Sequence, residues 1–132
     1  MIFHIKKMSE LSDVEKIELT KLTYIYGGMR KVLQNDYDHN RVHVCYAKTD
    51  NKYVGWALVK RYFASETPIV MVFVKSNHRR RGIGKELVKT LRAKVKKRVE
   101  ALPHTIKGER LFNSLNIKSG DEYVTDIEYY NV

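Results

Sequence analysis

The feature that most constrains this chain is a strand, a basic turn with two glycines and a helix in immediate succession. Six apolar residues, Ile69 to Val74, predict a strand that is buried on both faces. A polar link, Lys75 to His78, leads into Arg79-Arg80-Arg81-Gly82-Ile83-Gly84. After this turn, apolar residues recur at the spacing of an amphipathic helix: Leu87, Val88, Leu91 and Val95.

The turn has the chemistry of an anion-binding site. Glycines let the backbone adopt positive φ angles and approach a ligand closely. The first N–H groups of the helix point at such a ligand, and the helix dipole favours negative charge. Because three arginines and Lys85 add positive charge, we expect a multiply charged ligand such as a pyrophosphate.

Two common nucleotide-binding motifs do not fit this segment. A Walker loop requires Ser or Thr after its lysine, but Glu86 follows Lys85. A dinucleotide-binding fingerprint requires a third glycine where this chain has Leu87. The remaining pattern, Arg79-x-x-Gly82-x-Gly84 after a strand ending in Phe73-Val74, resembles the acyl-CoA pyrophosphate loop of the GNAT superfamily of N-acetyltransferases. The alternative is a basic surface run before an ordinary turn.

Length and composition indicate one globular domain that spans residues 1–132, with 43% hydrophobic and 30% charged residues. The lone Cys45 excludes an intramolecular disulfide and suits a reducing compartment. The first residues lack the apolar core of a signal peptide, and no stretch has the length of a membrane span. We therefore expect a cytoplasmic protein that is not embedded in a membrane.

The formal net charge of +10 predicts anionic partners: CoA, nucleic acid or an acidic protein surface. It disfavours polyamines as substrates, because they would be repelled. Basic residues continue along the helix after the glycines: Lys89, Arg92, Lys94, Lys96, Lys97 and Arg98. This helix face is either simply solvated or a surface for nucleic acid.

The N-terminal quarter predicts a strand followed by two helices. Residues Ile2 to Lys6 alternate as in a short strand, and Ser12 with Glu15 forms a capping box. The helix after this box has apolar residues at helical spacing: Val14, Ile17, Leu22 and Ile25. We expect Gly27-Gly28 to end it and Met29 to Leu33 to begin a shorter helix.

The middle of the chain predicts a hairpin. Residues Arg41 to Lys48 alternate as in a half-buried strand, Thr49 to Lys52 form a turn, and Tyr53 to Tyr62 are the partner strand. Gly55 within that strand indicates a bulge or close packing.

The predicted order resembles the GNAT arrangement along nearly the whole chain, with a further helix over Ile106 to Leu115 and a last strand over Tyr123 to Tyr130. Within this helix, Gly108-Glu-Arg-Leu-Phe-Asn-Ser-Leu-Asn-Ile117 is similar to the family's C-terminal motif, Ala-x-x-Leu-Tyr-x-x-x-Gly-Phe. The resemblance implies an α/β fold of the α+β type, with a mixed, mostly antiparallel central sheet flanked by helices. Only six residues separate Asn116 from Tyr123, so we expect an abbreviated C-terminal hairpin.

The resemblance also implies an activity: direct transfer of acetyl from acetyl-CoA to an amine, which we expect on a protein, a peptide or another macromolecule. In that family the backbone of the fourth strand pairs with the pantetheine arm, which here implies Val72, Phe73 and Val74. Arg79 would open the pyrophosphate loop. Its amides would come from Arg80, Arg81, Gly82, Ile83, Gly84 and Lys85.

The catalytic residues are less clear from the sequence. Phe112 stands where many family members have a tyrosine that protonates the leaving thiolate, and Pro68 to Val74 carries no carboxylate. Glu100 falls where ribosomal-protein-type members have a glutamate base, and Thr105 falls where that motif usually has asparagine. His104, next to Thr105, is a second candidate, since histidine is suited to base chemistry near neutrality. Three alternatives remain: Glu100 on an extension of the preceding helix, a water relay, or a substrate amine of low pKa.

Two other histidines and the cysteine predict neither a metal site nor a nucleophile. His39 and His43, near Asp36 and Asp38, have a spacing that suits a helix but fall across a loop and a strand start, so we expect no metal site. Cys45 on an alternating strand is interpreted as a core residue. A CoA-binding protein without efficient chemistry, or a basic nucleic-acid-associated module, are the alternatives to an enzyme.

Overall fold

The computed structural model describes residues 1–23, 28–34, 38–60, 69–95, 100–101, 106–115 and 117–119. The strands are β1 (Ile2–Lys7), β2 (His43–Thr49), β3 (Lys52–Lys60), β4 (Ile69–Val74), β5 (Glu100–Ala101) and β6 (Lys118–Ser119). The helices are α1 (Asp13–Lys21), α2 (Met29–Gln34), α3 (Ile83–Val95) and α4 (Ile106–Ser114). Short 3₁₀ helices lie at Met8–Glu10, His39–Arg41 and Ser76–His78.

The strands form one sheet in chain order. Strands β1 to β4 are antiparallel neighbours, whereas β4–β5 and β5–β6 are parallel. This arrangement confirms the predicted mixed, mostly antiparallel sheet flanked by helices. It also shows a fifth strand, Glu100–Ala101, beside the start of β4. The predicted last strand, Tyr123 to Tyr130, and with it the expected abbreviated hairpin, lies outside the described residues.

Both faces of the sheet are covered. On one face, α3 and α4 pack on residues such as Cys45, Ala47 and Val72, and on the other α1 and α2 pack on residues such as Val44 and Tyr46. The prediction of a half-buried β2 is therefore wrong, because residues 44–47 are all buried.

Burial raises the pKa of the Cys45 thiol to about 11, so at neutral pH it is a protonated core side chain rather than a nucleophile.

The hairpin between β2 and β3 matches the prediction at its turn and at Gly55. Asp50 and Asn51 both adopt positive φ angles, 49° and 61°, as a tight turn between twisted strands requires. The register shifts between Ala47 and Lys48, opposite Gly55. A Cβ atom at Gly55 would lie 2.9 Å from the carbonyl oxygen of Phe73, so the glycine permits the close approach of β3 to β4.

Helix α1 begins as predicted but presents a different face to the sheet. The Ser12 hydroxyl accepts a hydrogen bond from the Glu15 N–H, and the Glu15 carboxylate accepts one from the Ser12 N–H. The expected core residues Val14 and Ile17 are 65% and 57% exposed, whereas Glu15 and Leu19 are buried. The helix ends at Lys21, so the expectation that it continues through Ile25 to the glycine pair is also wrong.

The reason for this orientation is a network of polar contacts around Glu15. Its carboxylate accepts hydrogen bonds from the Tyr46 hydroxyl of β2 and from Nζ of Lys6 in β1, and the Lys6 Nζ–Glu15 Oε2 distance is 2.9 Å. Burial alone would raise the pKa of Glu15, but the Ser12 N–H and the Tyr46 and Lys6 donors outweigh it and lower the pKa to about 2. The carboxylate thus joins α1 to two strands.

The basic helix after the glycines is confirmed as α3, with Leu87, Val88 and Leu91 buried against the sheet. It ends at Val95, and Glu100 lies in β5, so the alternative that placed Glu100 on an extended helix is wrong. The second helix is confirmed at Met29–Gln34 and the C-terminal one at Ile106–Ser114. In the described part of the chain, no helix has the length and apolar character needed to cross a membrane.

We expect Glu15→Gln to lower the free energy of unfolding at pH 7 by about 2–3 kcal/mol, because the lowered pKa of Glu15 measures how strongly the folded state favours its charged form. The folded-state pKa lies below the ordinary value of 4.5. This stabilisation is therefore complete above about pH 5 and is lost as pH falls toward about 2.

The measurement is urea unfolding of both proteins between pH 7 and pH 3. The wild-type stability should fall more steeply with decreasing pH than that of Glu15→Gln. Glu18→Gln is the matched control, because Glu18 lies on the same helix, its side chain is 37% exposed, and it forms a surface ion pair with Lys21. Parallel pH profiles for wild type and Glu15→Gln would contradict the assignment.

A second prediction concerns the contact between β3 and β4. Gly55→Ala should destabilise the protein by about 1–3 kcal/mol, because the new methyl group meets a backbone oxygen that cannot rotate away. Gly82→Ala is the control: an added Cβ there meets no atom within 4 Å, and only the φ angle of 76° is unfavourable, at about 1–2 kcal/mol. An unchanged unfolding midpoint for Gly55→Ala would show that the strands are not so closely packed.

Candidate functional site

A cavity of about 620 Å³ lies where β4 ends, between the loop that follows it, the start of α3 and one side of α4. This volume is in the range of small-molecule and cofactor sites. The wall residues from β4, the loop and α3 are Val72, Val74, His78, Arg79, Arg80, Gly82, Ile83, Gly84 and Lys85, and those from α4 are Arg110 and Leu111.

The loop has the backbone geometry that its glycines predicted. Arg80 and Gly82 adopt positive φ angles of 64° and 76°. The N–H of Glu86 donates to the carbonyl of Gly82 at 3.0 Å, which is the first hydrogen bond of α3. The amides of Ile83, Gly84 and Lys85 precede that bond and have no acceptor within the helix. They form the N-terminal end of a 13-residue helix, where backbone N–H groups and the dipole favour an anion.

Gly84 lies where α3, α4 and β4 meet. A Cβ atom at this position would lie 3.4 Å from Cδ2 of Leu111, 3.5 Å from Cγ2 of Val74 and 3.8 Å from Cγ2 of Val72. These are ordinary contact distances, so there is room for a methyl group, whereas a branched side chain would enter space shared by three wall residues. The glycine therefore keeps this corner of the cavity open.

The charged side chains of the described wall are all basic: Arg79, Arg80, Lys85 and Arg110. All four are exposed to solvent. The rest of the wall includes the apolar side chains of Val72, Ile83 and Leu111. A cavity with basic residues at the loop and apolar residues along the strand favours a ligand that has an anionic end and a less polar arm.

Eight of the ten residues predicted to contact the coenzyme lie in this wall; the exceptions among the described residues are Phe73 and Arg81. Phe73 faces the opposite side of the sheet and stacks on Trp56, because side chains alternate along a strand. Arg81 is exposed. The prediction missed His78, Arg110 and Leu111; the last two lie within the helix motif at Gly108 to Ile117, which was their available signal.

The candidate catalytic residues are placed only in part. Glu100 lies in β5, where its backbone pairs with Ile69 at the start of β4, whereas the cavity lies beside the end of β4. His104 lies outside the described residues. Phe112 is 2% exposed and belongs to the core between α3, α4 and the sheet, so it has neither a proton to donate nor access to the cavity.

The histidines considered as metal ligands are also placed. His39 lies in the 3₁₀ helix before β2, and His43 is the first residue of β2. Within the ranges that the structure describes, no group of three or more His, Cys, Asp or Glu side chains is arranged to hold a metal ion.

Comparison with solved structures finds similar folds. A ribosomal-protein-alanine N-acetyltransferase from Brucella melitensis biovar Abortus 2308 has a TM-score of 0.57 at 17% identity, covering 94% of this chain and 95% of its own. The aminoglycoside N-acetyltransferase AAC(6′)-Iy in complex with CoA gives 0.59 at 16% identity, covering 94% and 93%. ElaA from Escherichia coli gives 0.68 at 16% identity, covering 87% and 85%.

Sequence comparison gives the family. No curated protein matches the sequence significantly. The family model "Acetyltransferase (GNAT) family" matches residues 11–112, which include both the glycine loop and Phe112 of α4. The match covers most of the chain and agrees with the fold of the structural neighbours. The chain therefore belongs to the GNAT family of acetyltransferases.

Proposed function

We propose that the chain is a single-domain N-acetyltransferase that transfers acetyl from acetyl-CoA directly to an amine of a protein, a peptide or another macromolecule. The observation that carries this proposal is the cavity at the end of β4, which combines a positive-φ turn, the start of α3 and four exposed basic side chains. The lone Cys45, which is buried, suits a reducing cytoplasm, where we propose that the protein acts.

In this proposal the loop binds the phosphate end of the coenzyme. The amides of Ile83, Gly84 and Lys85 donate hydrogen bonds to the pyrophosphate, and the Arg80 and Lys85 side chains balance its charge. Val72 and Val74 contact the pantetheine arm where the wall is apolar. The coenzyme supplies a thioester, and the chain orients it toward the acceptor amine.

The acid–base requirement falls mainly on the amine. A lysine-type amine must lose a proton, which costs about 4–5 kcal/mol at pH 7. The leaving thiol has an ordinary pKa near 8.5 and departs largely as thiolate, so its protonation matters less. This difference explains how a family member can function with Phe112 in place of a tyrosine. Glu100 and His104 remain the proposed bases, acting directly or through water.

The proposed acceptor is an amine whose pKa is low. The +10 net charge disfavours polycationic acceptors, and an acidic protein surface around the amine would be attracted. A protein α-amine has a pKa near 8, whereas lysine has one near 10.4. At pH 7 the neutral fraction of an α-amine is therefore larger by roughly 300-fold. One structural neighbour is a ribosomal-protein-alanine N-acetyltransferase, which supports a protein amine as the class of acceptor.

The first test is thermal unfolding with and without acetyl-CoA at physiological salt. At about 100-fold over Kd, binding should stabilise the fold by roughly 2.7 kcal/mol and raise the midpoint by about 6–16 °C. CoA should do the same, but ATP should not. The double variant Arg80→Asn, Lys85→Gln should lose more than half of the shift, because both side chains lie in the wall.

Lys94 is exposed near the end of α3, far along the helix from the loop, and Arg41 is exposed before β2. The double variant Arg41→Asn, Lys94→Gln is therefore the matched control for the loss of two charges, since both residues lie outside the cavity wall. It should keep the full shift. Equal losses in this control and in Arg80→Asn, Lys85→Gln would indicate nonspecific attraction by the net charge, and no shift for the wild type would mean that the cavity is not a CoA site.

The second test compares acceptors. A peptide with a free N-terminal alanine should be acetylated at least tenfold faster at pH 7 than the same peptide with a blocked N-terminus and one internal lysine. Because the neutral amine is the nucleophile, the rate should rise with pH up to the amine pKa. Mass spectrometry identifies the acetylated atom. Preferential acetylation of the lysine peptide would contradict the proposed preference.

A second candidate function is a CoA-binding protein without efficient chemistry. The observation in its favour is Phe112, which is buried in the core where many family members have a tyrosine hydroxyl. The two functions differ in one result. The binding protein would show the thermal shift with CoA but no acetylated product with α-amine, lysine or aminoglycoside acceptors.

A further inference from the structure

Arg79 differs from the other basic residues of the cavity in what its guanidinium contacts. Its Nε donates a hydrogen bond to the carbonyl oxygen of Val74 at 2.8 Å. Its Cζ lies 5.7 Å from the centre of the Phe73 ring, within the range of a cation–π contact. Both contacts lead back to the last two residues of β4 rather than outward to a ligand.

The ring beneath Arg79 is itself held by the core. Phe73 stacks on Trp56 with 6.2 Å between ring centres and 18° between ring planes. Trp56 is completely buried, and its indole N–H donates to the carbonyl of Leu22 at the end of α1. The stacked rings of Phe73 and Trp56 are packed on the α1 side of the sheet. The contact of Arg79 with Phe73 therefore connects the loop to the core on that side of β4.

This contact matters for the loop, because the backbone conformation of the next residue, Arg80, is unfavourable. Arg80 has a φ of 64°, which is costly for a residue with a side chain. The backbone bond that Arg79 itself makes, from its N–H to the carbonyl of Ser76, is long at 3.4 Å. The hydrogen bond from the Arg79 side chain to the Val74 carbonyl is much shorter. Of these two hydrogen bonds of Arg79, the one made by its side chain is therefore the stronger.

We propose that Arg79 is a positioning residue: its guanidinium fixes the coenzyme loop to the end of β4, and this geometry rather than its charge determines the affinity for the anion. The effect on affinity rests on the proposed CoA site. The effect on the loop does not, because the contacts to Val74 and Phe73 exist in the protein alone.

Lysine substitutions separate geometry from charge. Lysine keeps the positive charge but lacks the Nε donor and the planar group that lies over the ring. Arg79→Lys should therefore fail to replace arginine. The control is Arg41→Lys, which also keeps the net charge of +10. Arg41 is exposed and precedes β2, whose first residue pairs through Val59 with the start of β4, whereas the cavity lies beside the end of β4.

The first measurement is amide hydrogen exchange in the protein without ligand. The N–H of His78 bonds to the carbonyl of Lys75 at 2.8 Å on one side of the loop, and that of Glu86 bonds to Gly82 at 3.0 Å on the other. Arg79→Lys should speed exchange at these amides by roughly tenfold, and Arg41→Lys should leave it unchanged. Equal exchange in wild type and Arg79→Lys would overturn the proposal.

The second measurement is the Kd for CoA at two salt concentrations, followed by calorimetry or by the fluorescence of Trp56, the one tryptophan of the chain. Arg79→Lys should bind roughly tenfold more weakly with the salt dependence of the wild type, because no charge is lost. Arg41→Lys should stay within about twofold of the wild type, because Arg41 lies outside the cavity wall.

The results distinguish this inference from the proposed function. Wild-type affinity in Arg79→Lys would overturn the inference while leaving the CoA site intact. Failure of the wild type to bind CoA would overturn the proposed function, and the exchange data alone would then decide whether Arg79 holds the loop. Phe73→Leu adds a further check: combined with Arg79→Lys, its effect on loop exchange should be less than additive, because both changes remove the same contact.

Discussion

The fixed end of β4 is the constraint on which the site depends. Val74 pairs with Gly55 of β3, and the next residue, Lys75, donates its N–H to the carbonyl of Val54 at 2.8 Å. Strand β4 pairs with β3 along the whole length of β4, whereas the described part of β5 pairs only with Ile69 and Val70. The strand is thus held from one side as far as its last residue. Gly55 completes this arrangement, since it lets β3 approach β4 closely.

A buried anion organises the opposite face. Glu15 joins α1, β1 and β2 through Ser12, Lys6 and Tyr46, and every one of these donors favours its charged form. The same contacts set the rotation of α1, which leaves Val14 and Ile17 exposed. A stripe of apolar residues at helical spacing predicts the core face of a helix only when no charged residue has a stronger reason to point inward. In α1 the polar network, not the apolar stripe, determines which face of the helix packs on the sheet.

Local signals made much of the fold and of the loop predictable. The capping box, the turn at Asp50-Asn51, the helical spacing in α3 and the positive φ at Gly82 each depend on a few neighbouring residues. The features that were not predicted depend on contacts between distant segments. The burial of residues 44–47 of β2 requires helices on both faces of the sheet, and Arg110 reaches the cavity because its neighbour Leu111 packs near Gly84. No pattern within a single segment encodes these contacts.

The lining of the cavity bears on how acetyl transfer would proceed with few catalytic side chains. Its basic residues lie at the loop, while Val72 and Val74 form the wall along β4. In the proposed reaction, the amine that reaches the thioester beside this apolar wall would lose hydration, and burial would disfavour its charged form and lower its pKa. The cations at the loop act in the same direction, because a like charge also favours the neutral amine. The site would thus reduce the cost of deprotonation through its environment, which leaves less work for a general base and makes the absence of an acid at Phe112 tolerable.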